Sequence, residues 1–110
     1  MKFVKIKEGL SVNPGGNSAV MEIPSSEVLF ISHTVGSGKS GAPNCAAQGS
    51  INNSDFGFLA SADILDGGSI FVTAAGVSVR ARAFPFMRVT NAGQKSLKFD
   101  VYAILDLEDE

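Results

Sequence analysis

The sequence has no tryptophan, and among its 110 residues it has one tyrosine, one histidine and one cysteine. Each scarcity closes a route. A single cysteine, Cys45, permits no disulfide within the chain. It stands among Asn44, Ala46 and Ala47 with no basic neighbour in sequence, which predicts a packed thiol and not a nucleophile. A single histidine, His33, cannot build a His-rich zinc site, and no Cys or carboxylate stands beside it at ligand spacing. With no Trp and only Tyr102, the chain lacks the amphipathic rings that sugar-binding surfaces commonly present.

Charge is scarce as well. Charged residues make up 18% of the chain, and nine Lys and Arg against eleven Asp and Glu give a net charge of −2. Nucleic-acid binding needs a concentrated positive field, and none is present, so no nucleic-acid partner is expected. Apolar stretches such as Val28–Ile31 fall far short of the about 20 residues of a membrane-spanning helix, so no membrane partner is expected. Lys2, Lys5 and Lys7 are not followed by the apolar run of a secretion signal. So few charges leave much neutral surface, which favours assembly with a partner.

What is present is strand pattern. In Gly76–Phe84 the residues Val77, Val79, Ala81 and Ala83 alternate with Ser78, Arg80, Arg82 and Phe84. In Leu97–Leu105 the residues Leu97, Phe99, Val101, Ala103 and Leu105 alternate with Lys98, Asp100, Tyr102 and Ile104. A period of two places one set on a packed face and the other outside. Eight strands are predicted: Lys2–Lys7, Ala19–Ile23, Glu27–His33, Phe56–Ala60, Ser69–Ala74, Val77–Phe84, Phe86–Thr90 and Leu97–Leu105. Turn composition covers Ser11–Asn17, Pro24–Ser26 and Asp66–Gly68. Ala62–Leu65 reads as one helical turn. Asn91–Lys95 reads as a hairpin loop joining the last two strands as an antiparallel pair. The sum is one all-β domain over residues 1–110, an antiparallel β-sandwich of jelly-roll type.

The segment Thr34–Asp55 is the least regular. A structureless loop of that length is uncommon, so it is either a functional loop or conceals a short strand or helical turn near Ala46–Ile51. It opens with Gly38-Lys39-Ser40, the end of a phosphate-binding loop. The Gly required five residues earlier is His33, and Gly41, Ala42 and Pro43 break any helix that would hold the phosphate. A solvated loop lysine is the reading that remains. Asp63 and Asp66 lie three apart in a turn region and read as local caps. No catalytic group, cofactor motif or metal set emerges, and no enzymatic activity is expected.

The candidate functional residues are charged. Arg80 and Arg82 share one strand face, and Arg88 lies on the next strand. If those strands pair, three guanidiniums gather on one surface. They then either cover Phe rings with their stems or bind carboxylates across a subunit interface. Lys5 and Lys7 near one end and Asp106 and Glu108 near the other read either as two solvated termini or as complementary charges that attract each other or a neighbouring copy.

The run Phe84-Pro85-Phe86-Met87-Arg88-Val89-Thr90-Asn91-Ala92-Gly93, followed by Leu97-Lys98-Phe99-Asp100-Val101-Tyr102-Ala103-Ile104, resembles the C-terminal hairpin of small β-sandwich virion proteins of tailed bacteriophages. The resemblance covers about a quarter of the chain. It implies a capsid cement or decoration protein, a homotrimer on the shell bridging copies of the major capsid protein, assembled in the host cytoplasm. It brings no catalytic residues. The rival expectation is a non-enzymatic receptor- or carbohydrate-binding sandwich, such as a tail or fibre accessory protein.

Overall fold

A computed structural model describes residues 1–105. The strands are β1 (Lys2–Val12), β2 (Met21–Glu22), β3 (Glu27–Gly38), β4 (Cys45–Ser50), β5 (Gly57–Phe58), β6 (Phe71–Val72), β7 (Ser78–Arg82), β8 (Phe86–Asn91) and β9 (Lys95–Leu105). Sheet I has the order β1-β9-β3-β7, and sheet II the order β2-β8-β4-β5 with β6 also on β4. Every pairing is antiparallel. The pairs are nested: β1 with β9, β2 with β8, β3 with β7, and β4 with β5 and β6. Nested pairing divided between two facing sheets is what a long antiparallel ribbon produces when it rolls up, the jelly-roll arrangement.

Alternation explains which side chains meet. From β9, Leu97, Phe99, Val101 and Ala103 point into the sandwich and are at most 2% exposed, as their period of two predicts. Phe99 meets Phe30 of β3 edge-to-face, ring centroids 6.5 Å apart. Sheet II contributes Met87 and Val89 from β8 and Cys45 and Ala47 from β4. Gly49 continues that inward row. A Cβ there would fall 2.5 Å from the Phe84 ring, so the missing side chain is what lets Phe84 pack across β4.

The strand boundaries differ from the sequence expectation in instructive places. β1 runs on to Val12, bent by register shifts between Lys5 and Lys7 and between Lys7 and Leu10. β3 extends to Gly38, so the segment expected to be loop from Thr34 begins as strand, and β4 is the strand concealed near Ala46. The strands expected at 19–23, 56–60 and 69–74 shrink to two residues each. β5 and β6 are two pieces of one interrupted edge, lying end to end along β4. Between them residues 59–70 leave sheet II, make a 3-10 turn at Ser61–Asp63 and cross to β7. There Ile64 bridges Ala81, and the Leu65 amide donates to the Arg80 carbonyl at 2.8 Å. This strap covers the outer edge of β7 and seals one side of the sandwich.

The largest correction concerns residues 91–95. β8 and β9 do not form a hairpin; they lie in different sheets. The segment between them crosses the end of the sandwich around Asn91, 1% exposed, whose Oδ1 accepts from the amides of Asn44 and Gly93. Gly93 passes so close to residues 42–44 that a Cβ would sit 2.4 Å from the Asn44 nitrogen. A short polar Gly-containing segment serves a crossing as well as a hairpin, and alternation does not say which sheet a strand joins.

Candidate functional site

Because β7 and β8 belong to different sheets, the three arginines do not gather. Arg80 and Arg82 lie outward on sheet I and Arg88 outward on sheet II. Arg80 donates from Nε to Glu27 Oε1 at 2.8 Å across the β3–β7 pair. Arg82 reaches Asp63 of the strap at 3.4 Å. Both are therefore engaged within the chain, and the expected three-arginine surface does not exist.

Arg88 differs. Its Cζ lies 4.3 Å from the centre of the Phe56 ring, and its Nε donates to Gln48 Oε1 at 2.8 Å. Register places Gln48 directly opposite Arg88 on one side and opposite Phe58 on the other. Arg88 has no carboxylate partner among the described residues, so Phe56 and Gln48 set its orientation and leave the Nη edge unpaired. A Phe ring is covered here as expected of an arginine, but by the guanidinium itself and not by the stem.

On the same sheet face, across β4 from this arginine, lie two rings that the core does not take. Phe58 is 60% exposed and Phe71 51% exposed, and their centroids are 6.4 Å apart. Both belong to the interrupted edge, and both point outward because their inward neighbours Leu59 and Val72 are buried. Phe71 stands opposite Ala46, an outward residue only 3% exposed. Phe86 and Thr90 of β8 complete a face carrying few charges. An adjacent pair of exposed aromatic rings on a sheet face with few charges has the residue types that interface centres favour.

The remaining charged candidates lie on sheet I. Lys5 meets Glu8 at 3.0 Å and Asp100 at 3.8 Å, and its Nζ stands 5.6 Å from the Tyr102 ring centre. Asp100 accepts from the Gly9 amide at 3.0 Å and faces His33 Nε2 at 3.3 Å. The Gly9 hydrogen bond, with Lys5 and His33 nearby, holds the Asp100 carboxyl below the usual range. His33 Nδ1 also meets Thr34 Oγ1 at 2.7 Å. Lys7 is exposed at a bulge opposite Val101. Asp106 and Glu108 lie outside the described residues. Asp63 and Asp66 accept locally, from the amides of Ala60 and Gly68, and each also reaches β7, Asp63 at Arg82 and Asp66 at the Arg80 amide, so they do more than cap a turn. Lys39 follows β3 with its amide donating to Gln94, and no helix begins there.

Burial pushes the Cys45 thiol up to about 11, as suits a packed side chain between the sheets. Among the described residues no group of three or more His, Cys, Asp or Glu is placed to hold a metal ion, and no helix is long and apolar enough to cross a membrane. The Phe58–Phe71–Arg88 face was missed in the sequence because its residues come from four strands and one loop. The only available signal was that Phe58 and Phe71 each stand one residue from an apolar neighbour that takes the inward position. Compared with protein-family models, with curated proteins and with solved structures, the chain gives no match.

Proposed function

We propose that the chain is a structural protein of a virion, of the capsid cement or decoration type, acting as a homo-oligomer that binds the major capsid protein without catalysis. The observation that carries this reading is the outward Phe58–Phe71 pair, across β4 from Arg88 on a sheet face with few charges. Such a surface suits burial against protein: aromatic residues and arginine are the residue types enriched at interface centres. Two further features support it. The jelly roll is an architecture used by shell proteins, which is a fold-level analogy. The sequence of residues 84–104 resembles that of small phage virion sandwiches, although it forms a crossing between sheets where a hairpin was expected. The carbohydrate-binding reading has less support, since the two rings are tilted by 45° and make no flat platform.

A mass-spectrometric inventory of virions purified from the genome that encodes this chain tests the proposal. The chain should copurify at a fixed ratio to the major capsid protein and be removable without loss of the packaged genome. Its absence from the particles, or a saturable shift of Phe58 and Phe71 resonances on sugar titration, would overturn the proposal.

A further inference from the structure

We infer that the outward face of sheet II is a docking site for the acidic segment Asp106-Leu107-Glu108-Asp109-Glu110 of a neighbouring copy. The inference deepens the homo-oligomer part of the reading above and stands whether or not the setting is a virion. Three observations carry it. The first is charge. Four of the five residues in 106–110 are carboxylates, whereas Arg88 is a cation without a carboxylate partner among the described residues. Its ring and amide contacts engage Cζ and Nε, and among the described residues neither Nη has a hydrogen-bond partner, which leaves donors of the kind that bind a carboxylate. The other two arginines are already paired, with Glu27 and Asp63.

The second observation is apolar. Leu107 is the one hydrophobic residue of the segment, and Phe58 and Phe71 are exposed rings 6.4 Å apart on the same face as Arg88. Carboxylates flanking a leucine match a cation that shares a face with two rings.

The third observation is reach. Leu105 ends β9, which lies inside sheet I between β1 and β3. Leu107 is two residues farther on, at most about 7 Å. Facing sheets are separated by about 10 Å, and the docking face is the far side of the second sheet. A chain therefore cannot place its own Leu107 on its own Phe58 and Phe71. The occupant is a second copy. A contact between one surface and a different segment of the next molecule is heterologous, and it closes into a ring when the rotation permits.

Light scattering and peptide titration test this. The full chain at micromolar concentration should have a mass that is a multiple of the single chain, three being the multiple expected. Deletion of residues 106–110, or the exposed-site double change Phe58→Ser with Phe71→Ser, should reduce it to that of one chain while the circular dichroism spectrum stays unchanged. An acetylated peptide of residues 105–110, titrated into the deletion protein, should shift the resonances of Arg88 and Phe58. The same peptide with Leu107→Ser should bind at least tenfold more weakly. Arg88→Glu should abolish assembly, and combining it with Asp106→Lys and Glu108→Lys should restore it. A full-length monomer, an oligomer indifferent to the deletion, or a peptide that shifts Lys2 and Lys7 and leaves Arg88 unmoved would overturn the inference. Each of these results is independent of whether the chain is found in virions.

Discussion

The Asn91 side chain donates from Nδ2 to the Val12 carbonyl at 3.0 Å, so a residue of sheet II closes the end of the first strand of sheet I. The same Nδ2 donates to the Lys95 carbonyl at 2.8 Å, while Oδ1 takes the amides of Asn44 and Gly93. One amide group thus serves four backbone groups where the chain crosses between sheets. Asn91→Ala should lower stability by roughly 2–4 kcal/mol, because buried donors and acceptors lose their partners together. Asn91→Asp should also destabilise, since a carboxylate has no N–H to give Val12 or Lys95. Urea unfolding reads both variants. An unchanged midpoint for Asn91→Ala would show that water replaces the side chain without loss.

Phe99 and Phe58 offer opposite outcomes from the same substitution. Phe99 is 2% exposed and packed edge-on against Phe30. Phe99→Ala should cost about 3–5 kcal/mol through lost burial and the cavity left behind. Phe58→Ala, at an exposed position, should remain within about 0.5 kcal/mol. Equal costs in denaturant titrations would mean that the inward and outward faces are misassigned.

Acid should loosen the bulged part of β1. Asp100 is held below the usual carboxylate range, first by the Gly9 amide and then by Lys5 and His33. Asp66 is lowered as well, first by the amide of Arg80 and then by that of Gly68. A depressed folded-state pKa contributes stability that is present above the unfolded-state value and is lost as pH falls through the folded one. The melting temperature should therefore be steady from neutral pH down to about pH 4–5 and decline below it. Asp100→Asn should flatten that decline, and the Gly9 amide should lose its protection factor in acid before the Val101 amide does. A decline unaltered by Asp100→Asn would place the acid sensitivity elsewhere.

The sheet faces were legible in the sequence because alternation is local: Leu97, Phe99, Val101 and Ala103 could be read directly as inward. The strand concealed near Ala46 was anticipated as one of two alternatives, since Cys45, Ala46 and Ala47 carry too little side-chain bulk to declare a period. Sheet membership was not legible. Phe86–Asn91 and Lys95–Leu105 have equally good alternation, and only long-range pairing sends them to opposite sheets. That single ambiguity produced both the misplaced hairpin and the expected convergence of Arg80, Arg82 and Arg88. The docking face was hidden for a related reason. Phe58 and Phe71 lie thirteen positions apart, and they become neighbours only because residues 59–70 loop out between two pieces of one edge.

The place of β9 between β1 and β3 governs how the protein emerges from the ribosome. Lys2 finds its partner only when Leu105 has been made, so β1 waits without a neighbour while the intervening residues are synthesised. At ordinary elongation rates of about 5–20 residues per second, that wait lasts several seconds, during which an incomplete sheet is open to other nascent chains. A polypeptide interrupted before Lys95 lacks the middle of a sheet, leaving β1 and β3 with no strand to join them. Premature termination should therefore yield no partially assembled sandwich, only material for proteolysis.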